Sequence, residues 1–378
     1  MQISLPDDRI RIDGAAEVEV VDGGVRPHRL ALAHAHGFPV ETAFVEAMTS
    51  GVRLVFDTDA AEITVACTPM RLSLAGDMRP ATFELLVGER RVSSAVADFG
   101  HVVEVDLADE STELTVGGRG DVVLVAEAEG VRTVTIWLPH AAGVEIHSIS
   151  VPDGAVVLPP PADTRPRWVH YGSSISHCME ADGPSRTWPV IAAAETGHQL
   201  TNIGLAGQCH VDQFAARTIR ELPADRISLK LGINVINGDT MRARAFSSAV
   251  HGFLDTIRDG HPDTPILVIS PIICPAAESA PGPTILDDDG RITVPDPDAL
   301  LDPGMLNAGR LSVGRIRELL AEIVEQRRAI GDDTLHYLDG RELFGEADVA
   351  DLPDGLHPNG AGYERMGERF AAQPFLTT

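Results

Sequence analysis

Lysine is nearly absent from this chain of 378 residues, in which 30 basic side chains face 56 acidic ones for a net charge of −26. A surface that acidic repels phosphate backbones and anionic bilayers, so nucleic acid and membrane surfaces are excluded as expected partners. Aromatic residues make up only 4%, which leaves little for a platform on which sugars would stack. Long apolar runs are missing too. The longest, Pro265 to Cys274, is interrupted by Ser270 and Pro271 and falls short of the roughly 18 residues a membrane helix needs. Cysteine is scarce: Cys67, Cys178, Cys209 and Cys274 form no CxxC pair, and free thiols in a cytoplasmic protein are the expectation. The segment from Met1 to Asp8 has neither a basic start nor an apolar run, so no export signal is expected there.

What is present suffices for two cores, since 44% of the residues are hydrophobic and the length exceeds one ordinary domain. From Arg53 to about Val151 short alternating runs, such as Glu62-Ile63-Thr64-Val65 and Thr133-Val134-Thr135-Ile136-Trp137, are broken by Gly, Asp and Pro. That period predicts an all-β, jelly-roll-like antiparallel sandwich over residues 1–152, with Trp137 as a core residue. Residues 153–166, containing Pro159-Pro160-Pro161, read as a stiff linker. From 167 to 378 short buried strands (168–171, 200–203, 227–231, 266–269, 335–338) alternate with helical patterns (187–195, 211–221, 242–259, 308–330). Such alternation predicts an α/β domain, a parallel sheet covered by helices on both faces, with its site beyond the carboxyl ends of the strands. The stretch from Pro275 to about Asn307 breaks the rhythm and is expected to be a lid or a mobile insertion.

Four segments fall just after strands: Gly172-Ser173-Ser174-Ile175-Ser176, Asn202 to Gln208, Gly232-Ile233-Asn234-Val235, and Asp354-Gly355-Leu356-His357-Pro358. A serine hydroxyl leaving a sheet edge can attack a carbonyl if a base takes its proton, and His357 is the expected base. Asp354, three residues earlier, can accept from the imidazole and fix its tautomer, while Pro358 biases His357 to extended backbone. Singly, each feature is also what a helix cap or a turn would show; in this order and spacing they form a constellation.

The set, from about Trp168 to Phe370, resembles the GDSL (SGNH) family of serine esterases and acyltransferases. The resemblance implies Ser174 as nucleophile, His357 and Asp354 as its partners, and an oxyanion hole from the Ser174 and Gly207 N–H groups and the Asn234 amide. Two positions depart from the family pattern: Ser173 replaces the Asp of the first block, and Val235 the Asp that often follows Asn234. A Gly-x-Ser-x-Gly elbow is absent because Ser176 stands at the second glycine, which speaks against an α/β-hydrolase. His34 and His36, expected on one face of a strand, lack a third ligand in sequence. His177-Cys178 and Cys209-His210 invite a zinc or cysteine-nucleophile reading, but zinc spacing is missing and the Ser–His–Asp set already accounts for the site, so no metal and no permanently bound cofactor are expected.

The layout of the whole chain resembles the salicylyl-transferring branch of the family from a tetracycline pathway, which implies transfer of an aryl acyl group from coenzyme A to a polyketide hydroxyl. An acyl-CoA donor and an alcohol acceptor are then the small-molecule partners, and Arg242 and Arg244 the candidates for the CoA phosphates. The alternative is a carboxylesterase or deacetylase acting on a small molecule or carbohydrate, because the residues define acyl transfer through an acyl-serine and not the final acceptor. A third reading, a sugar-binding protein with a decayed hydrolase domain, runs against the intact Ser174, Asp354 and His357.

Overall fold

The computed structural model describes residues 1–74, 76–106, 111–126, 130–295 and 308–377. It divides into two compact units, one of Met1–Arg165 with Ala181–Val190, the other of Pro166–Glu180 with Ile191–Thr378.

Among the described residues, the first unit is built from a nine-stranded and a six-stranded sheet. In the larger sheet the long strand Glu62–Leu74 pairs with Ala142–Ser150 on one side and His101–Asp106 on the other. The sandwich is not purely antiparallel as expected, since Glu62–Leu74 and His101–Asp106 run parallel. In the smaller sheet Arg132–Trp137 lies between Arg53–Thr58 and Ala81–Val87, and Val134 faces Phe56 and Val87 across the ladders. Alternate residues of both sheets, among them Ile63, Val65, Cys67, Leu54, Phe56, Phe83, Leu85, Val134 and Ile136, form one buried core. Each such side chain contributes about 1.5–3 kcal/mol on leaving water, and the period of two in the sequence is its direct trace.

Three expectations are corrected in this unit. His34 and His36 lie in a 3-10 helix, Leu32–Gly37, because Gly37 and Pro39 end any strand there. The Pro-rich segment is not wholly a linker, since Val157–Leu158 pairs with Arg53–Thr58 as an edge strand. Ala181–Val190, expected within the second domain, is tied to the first unit through buried Glu84, which accepts from the Ser185 N–H at 3.0 Å and from Arg91 at 2.7 Å. Trp137 is buried as expected, with the Arg53 guanidinium 5.1 Å above its ring.

The second unit holds a five-stranded parallel sheet in the order Gln199–Gly204, Arg167–Gly172, Arg226–Lys230, Ile266–Ile269, Leu335–Leu338. In chain order this is 2-1-3-4-5, whose switch point falls beside the first strand, where ligands of such sheets gather. Trp168 and Tyr171 project from opposite faces of that strand. Trp168 stacks at 5.2 Å on Phe370 of the helix Gly360–Ala371, and Tyr171 at 5.2 Å on Phe253 of the helix Ala243–Arg258. Helices thus cover both faces. Ala243–Arg258 buries Phe246, Val250, Phe253, Leu254 and Ile257, the stripe that a period of 3.6 dictates.

The expected lid is partly built. Residues 275–295 contain a 3-10 turn, Pro275–Ala277, and a small hairpin, Ile285–Leu286 with Ile292–Thr293, so the segment is not structureless. The rest, 296–307 including Asn307, lies outside the described residues.

Candidate active site

The first strand ends at Gly172, and a single helical turn, Ser174–His177, follows. As its first residue Ser174 has no intrahelical acceptor for its N–H, and its side chain is half-buried. The turn is held from beneath. Ser176 Oγ lies 2.7 Å from His170 Nε2, the Asn202 amide donates to the Ser176 carbonyl at 2.9 Å, and His170 Nδ1 meets Ser228 Oγ at 2.7 Å. Burial pushes the His170 imidazole down to about 3, so it stays neutral. Ser173, at the family's aspartate position, is fully buried with its hydroxyl unpartnered.

The Asp354–Pro358 block does not follow a strand directly as expected, since two 3-10 helices, Gly340–Glu342 and Glu346–Asp351, separate it from Leu335–Leu338. It still brings His357 to Ser174, with Nε2 2.8 Å from Ser174 Oγ. On the other side of the ring Nδ1 lies 2.6 Å from Asp354 Oδ2. The second Asp354 oxygen accepts from the backbone N–H groups of His357 (2.7 Å) and Leu356 (2.9 Å). Burial opposes the charge on Asp354, but these bonds outweigh it and carry its pKa down to about 2. A carboxylate fixed on Nδ1–H assigns the tautomer, leaving Nε2 to accept from the Ser174 hydroxyl.

Gly207 adopts φ +71°, a left-handed conformation that favours glycine. Its carbonyl accepts from His210 Nε2 at 3.0 Å, and His210 Nδ1 lies 3.1 Å from Thr240 Oγ1. His210, weighed in the sequence only as part of a zinc or cysteine-nucleophile pair, therefore braces this loop; nothing in its local pattern signalled that. Asn234 sits in the short helix Ile233–Asn237, 4% exposed, with Oδ1 accepting from the Cys209 N–H at 3.0 Å. That bond orients the amide so that the NH2 is left to donate elsewhere. Val235 is fully buried beside it.

Burial raises the Cys209 thiol to about 12, which removes it as a nucleophile at ordinary pH. All four cysteines are buried and none is in a disulfide among the described residues. Among the described residues, no group of three or more His, Cys, Asp or Glu side chains could hold a metal ion, and no helix is long and apolar enough to cross a membrane. Of the two arginines, Arg242 is paired with Asp239, which also binds Arg310 at 2.6 Å. Arg244 is exposed, and no carboxylate pairs with it among the described residues.

The chain is similar over 98% of its length to the salicylyl-acyltransferase SsfX3 from a tetracycline biosynthetic pathway, with TM-score 0.80, 27% identity and 95% of that chain covered. It is also similar in fold to a family two carbohydrate esterase from Clostridium thermocellum solved with cellohexaose (TM-score 0.61, 12% identity, 97% of this chain and 98% of that one). A family two carbohydrate esterase from Cellvibrio japonicus gives TM-score 0.58 at 12% identity, over 98% and 96% of the two chains. No curated protein matches in sequence. Residues 170–365, more than half of the chain and all of the site described above, match the family model, and the chain belongs to the GDSL-like lipase/acylhydrolase family.

Proposed function

We propose that the chain is a serine acyltransferase that moves an acyl group, aryl and salicylyl-like, from coenzyme A to a hydroxyl of a tetracycline-type polyketide. The observation that carries the chemistry is the hydrogen-bonded series Ser174–His357–Asp354 at the carboxyl end of the parallel sheet. In this reading Ser174 Oγ attacks the thioester carbonyl as His357 Nε2 takes its proton, and Asp354 stabilises the imidazolium. The N–H groups of Ser174 and Gly207 and the Asn234 amide receive the oxyanion. Collapse breaks the C–S bond, and His357 returns the proton to the thiolate. The acceptor hydroxyl then gives its proton to His357 as it attacks the acyl-serine carbonyl, and collapse breaks the bond to Ser174 Oγ, which takes that proton back as the ester leaves.

The preference for transfer over hydrolysis draws on the full-length likeness to a salicylyl-acyltransferase at 27% identity. The likeness to carbohydrate esterases at 12% concerns fold alone. Acyl-CoA enters as a co-substrate, and Arg244, with Arg242, is the candidate for its phosphates.

Intact mass after incubation with a panel of acyl-CoAs and aryl esters should show one acyl group on the protein, and Ser174→Ala should abolish it. Supplying donor with and without a polycyclic alcohol then separates the two outcomes. Ester formation at the expense of free acid supports the transferase. Donor consumed equally fast, with no ester formed, makes the enzyme an esterase.

A further inference from the structure

Lys230 is the only lysine in the chain. It ends the central strand Arg226–Lys230, is 2% exposed, and its Nζ meets no hydrogen-bond partner among the described residues. An unpaired cation is costly to bury. One retained there, in a chain whose long basic side chains are otherwise all arginine, calls for a use.

Its surroundings supply one. Of the three segments that carry the proposed oxyanion donors, one continues the Lys230 strand, one reaches the Lys230 carbonyl through Cys209, and one ends in Cys178, which acts on the ammonium through its charge. The Lys230 strand runs on through Leu231 and Gly232 to Asn234. Cys209, two residues after Gly207, places Sγ 3.6 Å from the Lys230 carbonyl and its N–H on Asn234 Oδ1 at 3.0 Å. Cys178 closes the turn that begins at Ser174, donating its N–H to the Ser174 carbonyl at 2.7 Å. Among the described residues, the titratable and charged groups acting on the ammonium are Cys209, Cys178, Arg317 and His170. None is a carboxylate, and Arg317 is itself taken by Glu278 at 2.6 Å.

We propose that Lys230 is a positioning residue whose buried ammonium sets a positive field beneath the oxyanion site and favours the tetrahedral intermediate over the bound ester. The inference rests on the reading of Ser174 as nucleophile. A cation already paired would be spent on its partner in the ground state. One without a counter-ion acts on the negative charge that develops only during reaction. Burial also holds the Lys230 pKa down to about 8, so its charge is present below that pH and lost above it. An arginine would not switch in this range.

A single lysine gives a single signal in protein labelled with 15Nζ-lysine, and this signal can be titrated before and after Ser174 is capped by an alkyl phosphonate that mimics the anionic intermediate. The adduct should raise the proton affinity of Lys230 about ten-fold, the mirror of the stabilisation it gives. In ester turnover Lys230→Met should lower kcat about ten-fold with little change in KM, and should remove the alkaline fall in kcat near pH 8. Lys230→Arg should hold the rate flat through the same range. A titration identical with and without the phosphonate overturns the proposal, and so does a folded Lys230→Met enzyme that keeps the wild-type rate and alkaline limb. A phosphonate that never adds to Ser174 overturns the nucleophile reading and this proposal with it, an outcome that intact mass tells apart from the other two.

Discussion

At the scale of single residues, the Asp354 carboxylate is governed by two opposed effects. Desolvation favours the neutral acid, whereas the His357 ring and the N–H groups of Leu356 and His357 favour the anion and win, giving a pKa of about 2. A folded-state value below the unfolded one, about 3.9, makes the carboxylate's stabilising contribution fully present above that value. It is lost as pH falls from about 4 through 2. The urea midpoint should therefore fall steeply below about pH 4, and the corresponding part of that fall should vanish in Asp354→Asn. In turnover, Asp354→Asn should lower kcat by about a hundred- to ten-thousand-fold, less than Ser174→Ala, because the base remains but loses its orienting partner. Asn234→Ala should lower kcat by about a hundred- to a thousand-fold with KM little altered; a raised KM at constant kcat would make Asn234 a substrate-binding residue. The grouping was legible because Asp354 and His357 are only three residues apart and the Ser174 and Asn234 blocks follow strands directly, although the Asp354 block itself comes after the 3-10 helix Glu346–Asp351. The partners Ser176–His170 and His210–Gly207 were not, because chain proximity alone does not say which way a polar side chain turns.

At the scale of elements, the hairpin after residue 284 ties together two of the segments that carry the site. The Thr284 N–H donates to the Asn237 carbonyl at 3.1 Å, at the end of the helix that carries Asn234. Gly282 crosses that helix so closely that an added Cβ would lie 1.8 Å from the Ile236 carbonyl oxygen, which only glycine permits. On the far strand the Ile292 N–H donates to the Asp354 carbonyl at 2.7 Å. Ile292 pairs with Leu286, while the adjoining ladder bond is made by Asp287 and Arg291, so the Ile292 N–H faces away from its partner strand. Ile292→Pro should then delete the bond to the Asp354 loop and spare the ladder, lowering kcat about ten-fold, as loss of one such bond allows. A rate equal to wild type, with an unchanged melting temperature, would show that the loop needs no strap. The strands and helices of the second unit were readable because their periods of 2 and 3.6 each run for a whole element. The hairpin was not, since two-residue strands set among Pro, Gly and Asp leave no period to read. The same holds for Val157–Leu158, whose pairing with Arg53–Thr58 joins residues about a hundred apart in sequence.

At the scale of the whole molecule, charge decides how a donor arrives. The net charge of −26 opposes a polyanion such as an acyl-CoA at long range, whereas a contact with Arg244 acts only at close quarters. Salt separates the two, because screening reaches about 10 Å at 0.1 M and leaves a direct ion pair less affected than a diffuse field. Between low and physiological ionic strength, kcat/KM for an acyl-CoA should rise as the repulsion is screened, while that for an uncharged pantetheine thioester of the same acyl group should stay level. Arg242 and Arg310 share Asp239, so Arg244, with which no carboxylate pairs among the described residues, is the stronger candidate for the phosphates. In Arg244→Glu the ratio of the two kcat/KM values, CoA to pantetheine thioester, should therefore fall about ten-fold through KM, with the deficit largest at low salt. A ratio that does not move would return Arg244 to the solvated face of its helix. A wild-type enzyme that turns over both donors equally at every ionic strength would show that the nucleotide end of coenzyme A is not what this protein recognises, and would point to a simpler ester or thioester as its donor.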